Sequence, residues 1–217
     1  MSGFEVRNNA GVVLINSDQK HTIFDSIYTP QPLIDVGAYS LSTPFGDVKA
    51  LGNLRDGDKR KDGFLTWIQF TGNNQWGYPG ADMFSTNAIR IIRTSRNKAL
   101  KSGYLDVFDA SGNLVWTAAS AATMPRIMGF LDVPASFNLE ARVASVTPGF
   151  NPFFLWDACY GEWSDDGETQ GYSGNLMRWT GSQLQTYWIR RNQRSFSEIF
   201  NGRGNLKIPY AKFQGYN

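Results

Sequence analysis

The chain has 217 residues, 41% of them hydrophobic, 14% aromatic and 18% charged, with a formal net charge of +2. That length and apolar content suit a folded core and exclude a disordered chain. A charge so near neutral gives no support to nucleic acid or an acidic membrane surface as partner. The single cysteine, Cys159, excludes an internal disulfide framework. No secretory signal is expected at MSGFEVRNN, and no apolar run approaches the roughly 18 residues of a membrane helix. Abundant aromatics and glycines with few charges favour strands and turns over helices.

Residues 3–16, GFEVRNNAGVVLIN, predict a tight hairpin turning near Gly11. Residues 21–48 give short apolar pieces broken by prolines, which suit edge strands. The charged run 54–62 reads as a solvated loop. GFLTWIQFT, 63–71, predicts a central strand with Ile68 and Phe70 on one side, Leu65 and Trp67 on the other, and both sides covered. Residues 72–80 read as a loop that carries Trp76 and Tyr78. Residues 88–94 predict another strand.

A second hairpin follows at 103–117, GYLDVFDASGNLVWT. Asp109 is placed to accept backbone N–H bonds and Gly112 to supply a positive φ. Strands are then predicted at 125–133 and 138–146. An apolar β-prone stretch follows at 149–160, and a polar glycine-rich loop at 161–174 with Trp163 and Tyr172. Residues 182–192 read as a strand, with a helix over 183–200 as the alternative, and 206–213 as the last strand. About a dozen short strands with frequent turns describe an all-β sandwich or barrel-like fold. The repeated hairpin suggests two β lobes, 1–100 and 101–217, with one continuous β domain as the alternative.

Candidate chemistry is sparse. His21 is the only histidine, no G-x-S-x-G elbow is present, and a surface role is the plainer reading. One His and one Cys do not make a zinc site of the usual ligands. Asp157, Glu162, Asp165, Asp166 and Glu168 offer oxygens to calcium but miss the EF-hand spacing, so a solvated loop explains them as well. Asp157 and Glu162, each beside a tryptophan, form a conceivable glycosidase pair. Phosphate-binding glycine loops are absent. Two basic segments, Arg90 to Lys101 and Arg190 to Arg194, suit subunit pairing as readily as base stacking. The loop aromatics Trp76, Tyr78, Trp163 and Tyr172 remain as candidate partner or receptor contacts, with local packing as the alternative. No catalytic residue, metal or cofactor is expected.

The opening GFEVRNNAGVVLINSD resembles the start of small tail-tip and tail-fibre structural proteins of tailed bacteriophages, through Phe4, Val6, Asn8, Gly11, Val13 and Asp18. The stretch PRIMGFLDVPASFNLEARVASVTPGFNPFFLWD is similar to the same group, while residues 20–100 match nothing. The resemblance implies a non-enzymatic structural protein of the virion tail, assembled in the host cytoplasm. Its implied partners are other phage tail proteins, copies of itself as a homo-oligomer, and a host-surface glycan or protein receptor. A carbohydrate-binding or lectin-like module is the first alternative and a glycan-degrading enzyme the second. No nucleic-acid binding and no membrane insertion are expected.

Overall fold

The computed structural model describes residues 4–217 apart from 8, 10, 12, 31–33, 44–45, 86–87, 166, 169 and 191–193. The first half contains strands β1 (Glu5–Arg7), β2 (Val13–Asn16), β3 (Ile23–Tyr28), β4 (Ile34–Thr43), β5 (Gly46–Asn53), β6 (Phe64–Phe70), β7 (Gln75–Tyr78), β8 (Met83–Ser85) and β9 (Ile89–Ser95). The second contains β10 (Asp106–Phe108), β11 (Leu114–Thr117), β12 (Arg126–Val133), β13 (Ala144–Val146), β14 (Phe153–Leu155), β15 (Gly161–Asp165), β16 (Gln170–Trp179), β17 (Leu184–Arg190) and β18 (Leu206–Lys212). A five-residue helix, α1 (Phe196–Phe200), is the only α-helix among the described residues.

Two large antiparallel sheets form, neither closed into a barrel. The six-stranded sheet runs β12-β18-β14-β6-β9-β3. The eight-stranded sheet runs β13-β17-β16-β7-β8-β5-β4, with β15 paired to β16. Ile68 and Phe70 of β6, Ile91 of β9 and Ile208 of β18 meet Phe84 of β8, Met177 of β16 and Trp188 of β17 in one buried cluster. Side chains from both sheets thus interdigitate, and the all-β fold is a sandwich. The outer face of the six-stranded sheet is apolar too, with Trp67, Ile92, Phe153 and Phe213 buried there. Strand β6 therefore has both sides covered, as its sequence predicts.

The two halves of the chain follow one plan. Hairpin β1–β2 pairs Glu5 with Asn16, Val6 with Ile15 and Arg7 with Val13. Hairpin β10–β11 pairs Asp106 with Thr117, Val107 with Trp116 and Phe108 with Leu114. The register slips at the same step in both, and each turn carries a glycine at positive φ, 76° at Gly11 and 80° at Gly112. Asp109 closes the second turn as expected: its carboxylate accepts the N–H groups of Ser111 and Asn113, both at 2.8 Å. Those bonds hold its carboxyl below the ordinary range, the Asn113 side chain first.

The repeat extends into the sheets. From the edges inward, β3-β9-β6 and β12-β18-β14 are laid down in the same order and meet at β6–β14. Both edge strands carry a bulge at the matching place, between Phe24 and Ser26 and between Ile127 and Gly129. With the bulges superposed, the register carries Ile89 onto Leu206 and Ile91 onto Ile208, all four in the central core. It carries Trp67 onto Leu155, which face each other across the junction. A two-fold axis normal to the sheet at that pair relates the halves. The other sheet repeats the order, β5-β8-β7 against β13-β17-β16, with β4 and β15 as additions. Strands from either side of residue 100 are hydrogen-bonded within both large sheets, through β6–β14 and β7–β16.

Three sequence expectations need correction. Residues 138–143 are turns, and only Ala144–Val146 pairs as a strand. Asn138 accepts the N–H of Ala141 on its side chain and that of Arg142 on its carbonyl, which closes a turn where the apolar alternation suggested a strand. The glycine-rich segment 161–174 contains a hairpin instead of one long loop, with β15 on β16. Its glycines allow backbones to touch: a Cβ on Gly161 would sit 2.1 Å from the Cα of Gly80. Residues 72–80 contain β7, which joins the two halves of the second sheet.

Candidate functional site

A cleft lies where the chain leaves the first hairpin. Ser17 N–H donates to the Phe4 carbonyl and Asp18 N–H to the Asn16 side chain, so the chain turns sharply after β2. His21 N–H then donates to the carbonyl of Val115 at 3.1 Å, tying this exit to the second hairpin. His21 Nε2 accepts the N–H of Asn16 at 3.3 Å. The ring is half-buried, and burial pushes its pKa down. A neutral imidazole accepting at Nε2 carries its proton on Nδ1.

Opposite this turn stand the start of β6 and the end of β9. Ser95 Oγ donates to the Gly63 carbonyl and accepts the N–H of Asn97, fixing the far wall. The cleft, open to solvent on one side, holds about 760 Å³, within the range of small-molecule sites. Lys20 and Arg96 contribute its charges, and no carboxylate lines it among the described residues. It runs on into an apolar groove of about 290 Å³ over the outer face of the six-stranded sheet, lined by Leu65, Trp67, Ile127, Phe130 and Leu155 among others. His21 is the one imidazole in this lining, set beside the amides of Asn16, Gln19 and Asn97.

The aromatic residues singled out from sequence are placed differently from expectation. Trp76 and Tyr78 lie on β7 and are buried in the second sheet's outer cluster, not displayed on a loop. Gly77 between them faces Phe84 across the pair, and a Cβ there would meet that ring at 2.3 Å. The glycine that suggested a turn instead makes room for an aromatic ring. Trp163 and Tyr172 are paired across β15 and β16, and their side chains lie outside the described residues.

Asp157 is tied into the fold by its carboxylate. Its Oδ2 accepts the N–H of Thr66 at 2.7 Å, clamping β6 to the turn after β14. Burial pushes its carboxyl upward, against the opposing effects of that bond and of Arg60. The side chain of Glu162 lies outside the described residues, as does that of Asp165 and the whole of Asp166. Among the described residues no group of three His, Cys, Asp or Glu side chains gathers as a metal site. The first basic segment is largely internal bracing. Arg90 holds Gln69 and the Tyr216 carbonyl, Arg93 the carbonyls of Gly57 and Lys59, and Lys98 lies 3.7 Å from Asp25. Cys159 is buried, with its thiol pushed up by desolvation.

Sequence reading missed a second feature. The exposed large apolar side chains include Phe4 and Val13 on the first hairpin, Leu105 and Phe108 on the second, and Met128 and Phe130 on edge strand β12. Tyr104 joins them, fully exposed and held at φ 61°, a conformation a bulky residue rarely adopts. Alternation in 125–133 was the available signal: Ile127 and Leu131 face inward from opposite sides of the sheet, while Met128 and Phe130 have no polar substitute.

The chain belongs to the family described as a domain of unknown function, DUF8377. The family model matches residues 1–215, which takes in both halves of the repeat. No curated protein and no solved structure matches the chain. Membership in DUF8377 thus covers the whole sandwich and both hairpins, and assigns no residue a role.

Proposed function

We propose that this DUF8377 protein is a structural component of a bacteriophage tail, near its distal end, that assembles through copies of itself and neighbouring tail proteins. The observation that carries this reading is the exposure of large apolar side chains on each hairpin and on the edge strand β12. Apolar residues on a free strand edge are an unprotected pairing surface, which a protein working alone blunts with charge. The resemblance of the opening hairpin to tail proteins supplies the setting. Sedimentation velocity tests the assembly: the wild-type protein forms a concentration-dependent oligomer, and Met128→Lys with Phe130→Glu returns it to monomer. Antibody labelling of purified virions tests the setting, with label expected at the tail end. A monomer at every concentration and unlabelled tails would overturn the reading.

A second reading, recognition of a surface glycan, is favoured by one separate observation: the amide- and cation-lined cleft beside His21. The Asp157 geometry gives a glycan-degrading role no comparable support.

A further inference from the structure

We infer that the cleft between the first hairpin and the β6–β9 wall binds an anionic sugar, one whose ring hydroxyls accompany a carboxylate or a phosphate. The inference rests on the glycan-recognition reading and names its ligand class. Its first support is charge. Lys20 reaches the cleft from the turn after β2, and Arg96 from the end of β9. Neither has a hydrogen-bond or ion-pair partner among the described residues, whereas Arg90, Arg93 and Lys98 on the same stretch all do. Two cations that face one cavity without a carboxylate repel each other and are drawn to an anion between them. Arginine adds a planar fork that matches carboxylate or phosphate oxygens.

The second support is the remaining lining. Asn16, Gln19 and Asn97 bring three side-chain amides, each both donor and acceptor, the pairing that neighbouring sugar hydroxyls require. Phe64 offers a half-buried ring as an apolar wall for a pyranose face. His21 is set by the Asn16 N–H, which leaves Nδ1–H as its one donor. A nucleic acid would need a longer basic track, and the lining has two cations. The cavity of about 760 Å³ accommodates a short oligosaccharide, not an extended polymer segment.

The full chain is titrated calorimetrically at pH 7 and low salt with a galacturonate trisaccharide, mannose 6-phosphate, maltotriose and inorganic phosphate. Saturable binding of the carboxylated or the phosphorylated sugar is expected, and which of the two binds identifies the source of the charge. Lys20→Ala with Arg96→Ala should weaken it about tenfold or more, and Gln19→Ala by less. Lys101→Ala, an exposed charge outside the lining, should leave it unchanged. A circular-dichroism melt of each variant confirms that the substitutions leave the fold intact. Equal affinity for maltotriose overturns the anionic assignment but leaves glycan recognition standing. Inorganic phosphate binding as tightly as the sugar overturns it as a simple anion site. No binding by any sugar overturns both the inference and the glycan reading.

Discussion

Strands β3 and β12 occupy equivalent places at opposite edges of one sheet, each after a hairpin and each with the same bulge. Their surfaces diverge. The bulged residue of β3 is Asp25, 3.7 Å from Lys98, and Phe24 beside it is stacked under Tyr216 at 5.4 Å. The bulged residue of β12 is Met128, exposed, and Phe130 two residues on is exposed as well. One edge carries charge and a covering ring at its bulge; the other exposes Met128 and Phe130 between the charged Arg126 and Asp132. A shared backbone plan fixes where strands end and bulge, and the side chains alone decide what each edge exposes. Two copies of one plan thus carry different side chains at their two edges.

The largest test lies on the axis that relates the halves. Trp67 is buried and donates its Nε1–H to Thr94 at 3.2 Å, while its counterpart Leu155 is half-buried. Trp67→Ala should lower stability by about 3–5 kcal/mol and Leu155→Ala by clearly less, read from denaturant unfolding. Equal losses would mean that the axis pair is energetically symmetric despite its different side chains. A second test moves the difference from one edge to the other. Asp25→Met removes the charge that guards β3 and should raise association in sedimentation runs, with a stability change within about 0.5 kcal/mol. If association does not change, charge at the bulge is not what keeps that edge closed.

The smallest effect concerns Tyr28, whose counterpart in the second half is Leu131, both packed on the central core. Burial, partly offset by Arg93 over its ring, pushes the Tyr28 phenol up to about 12. The unfolded phenol ionises near 10, so between about 10 and 12 the unfolded chain sheds the proton first. Stability is therefore full below about pH 10 and falls as pH rises through that window. Tyr28→Leu copies the second half and should flatten this alkaline loss in thermal melts taken from pH 9 to 12. An unchanged slope would assign it to other groups.

Much of the fold is legible in the chain because the relevant forces are local. Asp109 and Gly112 announce a hairpin through turn chemistry, and 63–71 announces a strand covered on both sides through its apolar run. The short helix α1 had a signal as well: Ser195 and Glu198 form a reciprocal capping box. Other places misled because the same residue serves two purposes. Gly77 reads as a turn former, yet it sits mid-strand under the Phe84 ring. Residues 138–143 alternate like a strand, yet Asn138 captures two backbone N–H groups and makes a turn. The cleft was not legible at all, since Lys20 and Arg96 are far apart in sequence and reach one cleft only through the β3–β9 pairing that sets Ile23 against Ser95.

By itself the sequence determined the class of structure, the two matching hairpins and most of the strands, because strand alternation and turn residues act within a few positions. Only the tertiary structure decided that the repeat runs through both sheets. The bulges and the Trp67–Leu155 junction are matters of register between distant strands, and matched places there carry different side chains. It also decided which aromatics are core and which are surface. Burial depends on what the second sheet and the hairpins lay over each strand, and no single stretch of chain contains both partners of that contact.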